Sequence, residues 1–243
     1  DIVKNSEYAQ AVVVNAGIAN ACTGQEGLDY CQKTADQAAK VLGIPASAVC
    51  VASTGVIGKQ LPIDRIMAGV EALAPKLADG VKAGNAAAKA IMTTDTHEKE
   101  VAVEFEVGGK TVTIGGMCKG SGMIHPNMCT MLAFVTTDLA ISKELLQEAL
   151  SANVKDTFNM ISVDGDTSTN DTLLLMANGL AGNPEITEKG ADYDAFCVFD
   201  ADNIVDKGFF TAMNKKLCQG EEVVQGYRDI KNPTDSWVSA GYA

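Results

Sequence analysis

The chain has 243 residues, 47% of them hydrophobic, with a formal net charge of −12. That is enough for one large domain or two small ones with a substantial core, built mostly from aliphatic residues because aromatics make up only 5%. The acidic balance argues against a nucleic-acid backbone or an anionic membrane as partner, but it leaves open small acidic substrates, which need only one local cation.

The pattern begins with a β-branched run at residues 11–14, a predicted strand ending in a loop at Asn15-Ala16-Gly17. Apolar and small residues at helical spacing follow over 28–42 and stop at Gly43-Ile44-Pro45. Residues 48–53 predict a second buried strand, followed by Thr54-Gly55. A second helix is expected over 62–77, ending near Pro75, and an alanine-rich one over 84–92. The period then changes. Residues 100–107 and 110–114 alternate around Gly108-Gly109, the pattern of a β-hairpin. Further on come a strand over 130–136, a helix over 142–153 capped by Ser142, a strand over 158–163, a turn at Asp164-Gly165-Asp166, and an apolar segment over 170–178 that fits helix or strand. A helix over 209–217 and a loose tail complete the chain. Strands and helices mix without strict alternation, which points to an α+β layering of mixed sheets and helices.

No apolar run is long enough to span a bilayer, and no signal peptide is visible, although the first residue is Asp1 rather than Met. The seven cysteines are scattered and form no CxxC pair. They suit free thiols in a reducing cytosol better than a zinc site, so a cytoplasmic protein without a bound metal is expected.

Taken alone, the chemistry-bearing residues have ordinary readings. Thr130 fits the start of a buried strand, Ser53-Thr54-Gly55 a turn, and Lys119 a solvated surface lysine. His125 sits beside Pro126 in what reads as a structural turn. Asp164, Asp166 and Asp171 lack the glycine spacing and final glutamate of a calcium loop, and hydrogen bonding within a tight turn is expected of them instead. Gly17, Gly24 and Gly27 are not spaced as a dinucleotide fingerprint and suit loop geometry.

Five blocks change these readings: NAGIANACTG (15–24), VASTGVIGKQLP (51–62), IMTTDT (91–96), GGMCKGSGMIHPNMCTMLAFVTTD (115–138) and SVDGDTSTNDT (162–172). In this order they resemble the ornithine acetyltransferase (glutamate N-acetyltransferase) family, with Ala16 and Ile18 as departures. The likeness runs over 11–196. It implies a self-cleaving fold of the N-terminal-nucleophile kind, cut between Cys129 and Thr130 into an α chain (1–129) and a β chain starting at Thr130. Thr130 is then the nucleophile, and its freed α-amine, with a pKa near ~8, is its local base. Thr54 and Gly55 match the positions that supply an oxyanion hole, a hydroxyl and a backbone N–H. Thr93 and Lys119 match positions that contact substrate, as does Thr130.

The resemblance implies transfer of acetyl from N-acetylornithine to glutamate through an acetyl-threonine ester, a step of arginine biosynthesis. No organic cofactor is required, with acetyl-CoA as a further donor in some relatives. Partners would be small molecules and the paired α and β chains assembling into a hetero-oligomer. The chain starts inside the family's pattern and stops matching after residue 196, so 197–243 forms a divergent stretch. There Glu221 and Glu222 do not sit in a recognisable substrate-binding motif. Two rivals stand beside this reading: a related amide hydrolase or aminopeptidase, and a non-catalytic fragment of the family.

Overall fold

The computed structural model describes residues 6, 8–121, 131–154, 157–160 and 170–188. All of them belong to a unit spanning Asp1–Asp202. Strand β1 (Ala11–Ile18) pairs in parallel with β2 (Val49–Val56), and helix α1 (Gly24–Leu42) connects them. A four-stranded sheet follows, in the order β3 (Lys99–Val107), β4 (Lys110–Lys119), β5 (Leu132–Thr137), β6 (Thr172–Ala177). Helices α2 (Ile63–Leu73) and α3 (Val81–Ala90) lie between β2 and β3, and α4 (Lys143–Asn153) lies between β5 and β6. The expected α+β class is therefore what the chain adopts. Among the described residues no helix is long and apolar enough to cross a membrane.

The first sheet shows the two-residue period of strands on both faces. Ala11, Val13, Val49 and Val51 pack with Ala35, Ala38 and Ala39 of α1, whose small side chains let the helix lie close. Val12, Val14 and Ala52 turn the other way, into a cluster with Leu132, Phe134, Met117 and Leu174 of the second sheet. Helix α1 ends at Gly43 in the left-handed conformation (φ 67°), with its N–H on the carbonyl of Ala39, as a glycine C-cap does.

The hairpin between β3 and β4 forms with Gly108 and Gly109 both at positive φ (55° and 71°), the geometry of a type I′ turn. Ser142 caps α4, its hydroxyl accepting from the N–H of Leu145 at 3.4 Å. The segment over 170–178, open between helix and strand in the sequence, is strand β6 and pairs in parallel with β5.

Several expectations change. Asn15-Ala16-Gly17 is not a loop but the continuation of β1, because its partners Ser53, Thr54 and Gly55 continue β2. Ser53-Thr54-Gly55 is likewise strand, not turn. The second helix is shorter than expected and gives way to a 3-10 turn at Ala74–Lys76, with Pro75 inside it. Helix α3 starts three residues before its predicted start, at Val81. Phe158–Met160 is a 3-10 turn rather than the start of a strand. The turn at 164–166, the helix over 209–217 and the tail fall outside the described residues.

Gly55 has a φ of 129°, and a Cβ built there would lie 2.2 Å from the carbonyl carbon of Gly17 and 2.3 Å from its oxygen. Both the backbone conformation and the approach of β1 exclude a side chain. Gly55→Ala is expected to cost about 3 kcal/mol or more, combining overpacking with backbone strain. A urea unfolding midpoint equal to wild type would show that the two strands can part at no cost.

Candidate active site

The strand register brings the end of β4 and the starts of β5 and β6 to one edge of the sheet. Lys119 is paired with Leu132, and Leu132 with Thr172. The residues just beyond each strand, Gly120, Met131 and Asp171, therefore lie at that same edge. Thr93, Thr94 and Asp95, from the loop after α3, are joined to it by hydrogen bonds.

Asp95 organises this edge. Its side chain has no exposed surface. Oδ1 accepts from Lys99 Nζ at 2.7 Å and from the N–H of Gly120 at 2.8 Å, and Oδ2 accepts from the N–H of Thr93 at 3.2 Å. Lys99 Nζ also donates to the carbonyl of Gly120 at 3.2 Å, and the hydroxyls of Thr94 and Ser121 lie 2.6 Å apart. The loop carrying Thr93 is thereby stapled to the residues that follow Lys119. Burial pushes the Asp95 carboxyl up, but the hydrogen bond from Lys99 and the two backbone N–H groups outweigh it and hold it below the usual aspartate value.

Lys119 is only 3% exposed, unlike the surface lysine its sequence suggested. Its ammonium donates to Thr93 Oγ1 at 3.3 Å, so the two residues matched to substrate contacts meet. Burial lowers its pKa, while the charges of Asp95 and Asp171 raise it and Lys99 lowers it further. A buried ammonium beside a hydroxyl on an exposed loop residue can receive a carboxylate or a polarised carbonyl.

The turn bonding expected of Asp164, Asp166 and Asp171 involves residues 161–169, which lie outside the described residues; Asp171 itself makes a long-range bond. Its Oδ1 accepts from the N–H of Met131, 40 residues away, at 3.0 Å. Burial raises the Asp171 carboxyl to about 6, against the opposing pull of that N–H and of Lys119.

Thr54 is 1% exposed, inside β2 and opposite Ala16. By the strand period it shares a face with Ala52, which packs on Leu132, so Thr54 looks toward the second sheet. Ser53 holds this end of β2 by accepting from the N–H of Asn20 at 2.7 Å, and Asn20 is fixed in turn by the carbonyl of Gly27 and the hydroxyl of Thr23. This gives the NAGIANACTG segment a physical task. Gly27 is tightly confined there: a Cβ would lie 2.0 Å from Thr23 Oγ1.

Thr130, Cys129 and His125 lie outside the described residues, as do Glu221 and Glu222. Sequence reasoning missed Asp95 and Lys99, and considered Asp171 only as part of a rejected calcium loop. The i,i+4 spacing of Asp95 and Lys99 was the available signal.

The ArgJ family model matches residues 1–208. This chain belongs to the ArgJ family. The match extends past both ends of the span covered by the five blocks. Among curated proteins, the chain is similar to the arginine biosynthesis bifunctional protein ArgJ of Symbiobacterium thermophilum, with 57% identity over 187 residues, covering 77% of this chain and 46% of that protein. It is similar to the protein of the same name from Listeria monocytogenes serovar 1/2a at 51% identity over 198 residues, covering 81% and 48%. The chain thus spans about half the length of the curated ArgJ relatives it matches. A solved structure, the arginine biosynthesis bifunctional protein ArgJ of Bacillus halodurans, is 46% identical, covers 52% of this chain and 65% of its own, and superposes with a TM-score of 0.48.

The two carboxylates at this edge should affect stability with opposite signs. The folded pKa of Asp95 is depressed, so its contribution is present above the ordinary aspartate value of 3.8 and is lost as pH falls through the folded value. The folded pKa of Asp171 is raised, so its contribution is full below 3.8 and is lost as pH rises toward about 6. In thermal unfolding between about pH 3 and 7, Asp171→Asn is expected to gain on wild type as pH rises through about 4 to 6. Asp95→Asn is expected to fall behind wild type as pH rises through the range below about 4. Parallel pH profiles for the two variants would contradict this assignment.

Proposed function

We propose that this ArgJ-family chain is the part of an acetyltransferase that cleaves itself before Thr130 and then uses Thr130 to carry an acetyl group from N-acetylornithine to glutamate. The observation that best supports this reading is the strand register. It sets the Lys119–Thr93 pair at the same sheet edge as Met131, the residue that follows Thr130.

In the first step the Thr130 hydroxyl attacks the carbonyl carbon of Cys129. The C–N bond breaks, the hydroxyl proton passes to the departing nitrogen, and an ester joins Cys129 to the Thr130 oxygen. Water hydrolyses the ester, leaving a carboxylate on Cys129 and a free amine and hydroxyl on Thr130. In turnover, that hydroxyl attacks the acetyl carbonyl of N-acetylornithine, with the α-amine as base. Ornithine leaves with the proton, and the amine of glutamate then displaces Thr130 from the acetyl ester. Two half-reactions through one covalent intermediate give ping-pong kinetics. Each tetrahedral intermediate carries an oxyanion, the role assigned to Thr54 and the N–H of Gly55. Lys119 supplies the cation that acidic or acylated substrates need, and Thr93 a hydroxyl beside it. The chemistry calls on no metal or organic cofactor and belongs in the cytoplasm. The two chain pieces remain associated as a hetero-oligomer.

The deciding experiment is the intact mass of the denatured chain. Two fragments meeting between Cys129 and Thr130 are expected from wild type and one uncut chain from Thr130→Ala. An uncut wild type, or a Thr130→Ala protein cut at that bond, would sink the reading. In protein already cleaved, Thr54→Ala is expected to lower kcat by roughly 100-fold to 1,000-fold with little change in KM. Turnover equal to wild type would remove Thr54 from the oxyanion hole.

A further inference from the structure

Met131 is held from both sides by two consecutive residues. Its carbonyl accepts from the N–H of Thr172 at 3.0 Å, the bond that begins the β5–β6 ladder. Its N–H donates to the side chain of Asp171 at 3.0 Å. At this position a carboxylate takes the acceptor place that a backbone carbonyl would fill if the ladder ran one residue further. A carboxylate is a stronger acceptor than a carbonyl but costs more to bury. Half-buried Asp171 faces the charge of Lys119, which itself lies among Asp95, Lys99 and Asp171.

We infer that Asp171 is a positioning residue for the chemistry at Thr130, acting by fixing the peptide unit that joins residues 130 and 131. This rests on the function proposed above. The N–H of Met131 is coplanar with the carbonyl and Cα of the preceding residue, because the peptide unit is rigid. A bond that restrains this N–H therefore restrains the peptide link through which residue 130 is attached. The constraint matters most after scission. Residue 130 is then a chain terminus, tethered through this one peptide unit, and termini fray unless tied down. A displacement of about 1 Å in a reacting group can cost about 100-fold in rate.

The test compares wild type, Asp171→Asn and Asp171→Ala in the full chain. Asparagine keeps an acceptor oxygen for the Met131 N–H without the charge, whereas alanine removes it. Scission between Cys129 and Thr130 is followed by intact mass from the moment of synthesis, and exchange of the Met131 amide is measured on the same samples. Asp171→Ala is expected to slow scission by at least tenfold and to speed Met131 exchange by a similar factor, at a temperature where the variant is folded. Asp171→Asn is expected to restore both to within a few-fold of wild type, a rescue that a general loss of stability does not predict. Asp171→Ala cleaving at the wild-type rate, or Asp171→Asn as slow as Asp171→Ala, overturns this inference alone. A wild-type chain that never cleaves overturns the proposed function and this inference with it.

Discussion

A carboxylate whose side chain has no contact with solvent must recover its lost hydration from donors, and Asp95 finds them on three separate pieces of backbone and side chain. The N–H of Thr93 belongs to the loop after α3, the N–H of Gly120 to the exit of β4, and Lys99 to the entry of β3. One ion thus holds the three segments whose geometry decides where Lys119 and Thr93 meet. Without it the Lys119 ammonium would be buried beside Lys99 with less opposing charge, a combination that favours the neutral amine. The edge is therefore an electrostatic set, with Asp95 and Asp171 facing Lys99 and Lys119, inside a chain whose overall charge is strongly negative.

The two sheets communicate through small and branched side chains rather than through a large aromatic core. Ala52, Ile91, Leu132 and Phe134 form the contact, with Val12, Val14, Met117 and Leu174 around it. Leu132 has no exposed surface, and its backbone is in register with both Lys119 and Thr172. The same residue thus anchors the core and fixes the edge of the site. On the other sheet, the parallel pairing of Gly17 with Gly55 draws two backbones closer than any side chain permits. Two glycine positions that the sequence suggests are loops are in fact where strands need the least bulk.

The parts of the fold legible in the sequence are those that local rules decide. Gly108-Gly109 between alternating runs gave the hairpin, because only residues tolerant of positive φ close a type I′ turn cheaply. The spacing of Ala35, Ala38 and Ala39, with Gly43 after them, gave α1. Strand β6 stayed ambiguous because TLLLMA, half-buried throughout, shows no alternation to separate strand from helix. The continuation of β1 through Asn15-Ala16-Gly17 was missed since its stability comes from pairing with residues 38 positions away, from Ala11↔Val49 onward. Of the site, Thr93, Lys119, Thr54 and Gly55 came from block resemblance. Asp95 and Asp171 did not, because beyond the nearby Lys99 their partners include backbone N–H groups at strand ends, Gly120 and Met131, which only the register of the sheet brings within reach.

The bond between Asp171 and Met131 also bears on when the site exists. It joins residues 40 apart and lies at the mouth of a parallel strand pair, which forms only after a crossover containing α4 has been made. During synthesis, Met131 is exposed to its neighbours on β4 well before residue 171 has emerged. If the proposed cleavage before Thr130 holds and the peptide unit at 130–131 is set by Asp171, the proposed nucleophile is not aimed until the crossover is complete. On that proposal, the long reach of one side chain is a checkpoint that would delay a cut in the backbone until the sheet joining the segments on either side of it has closed.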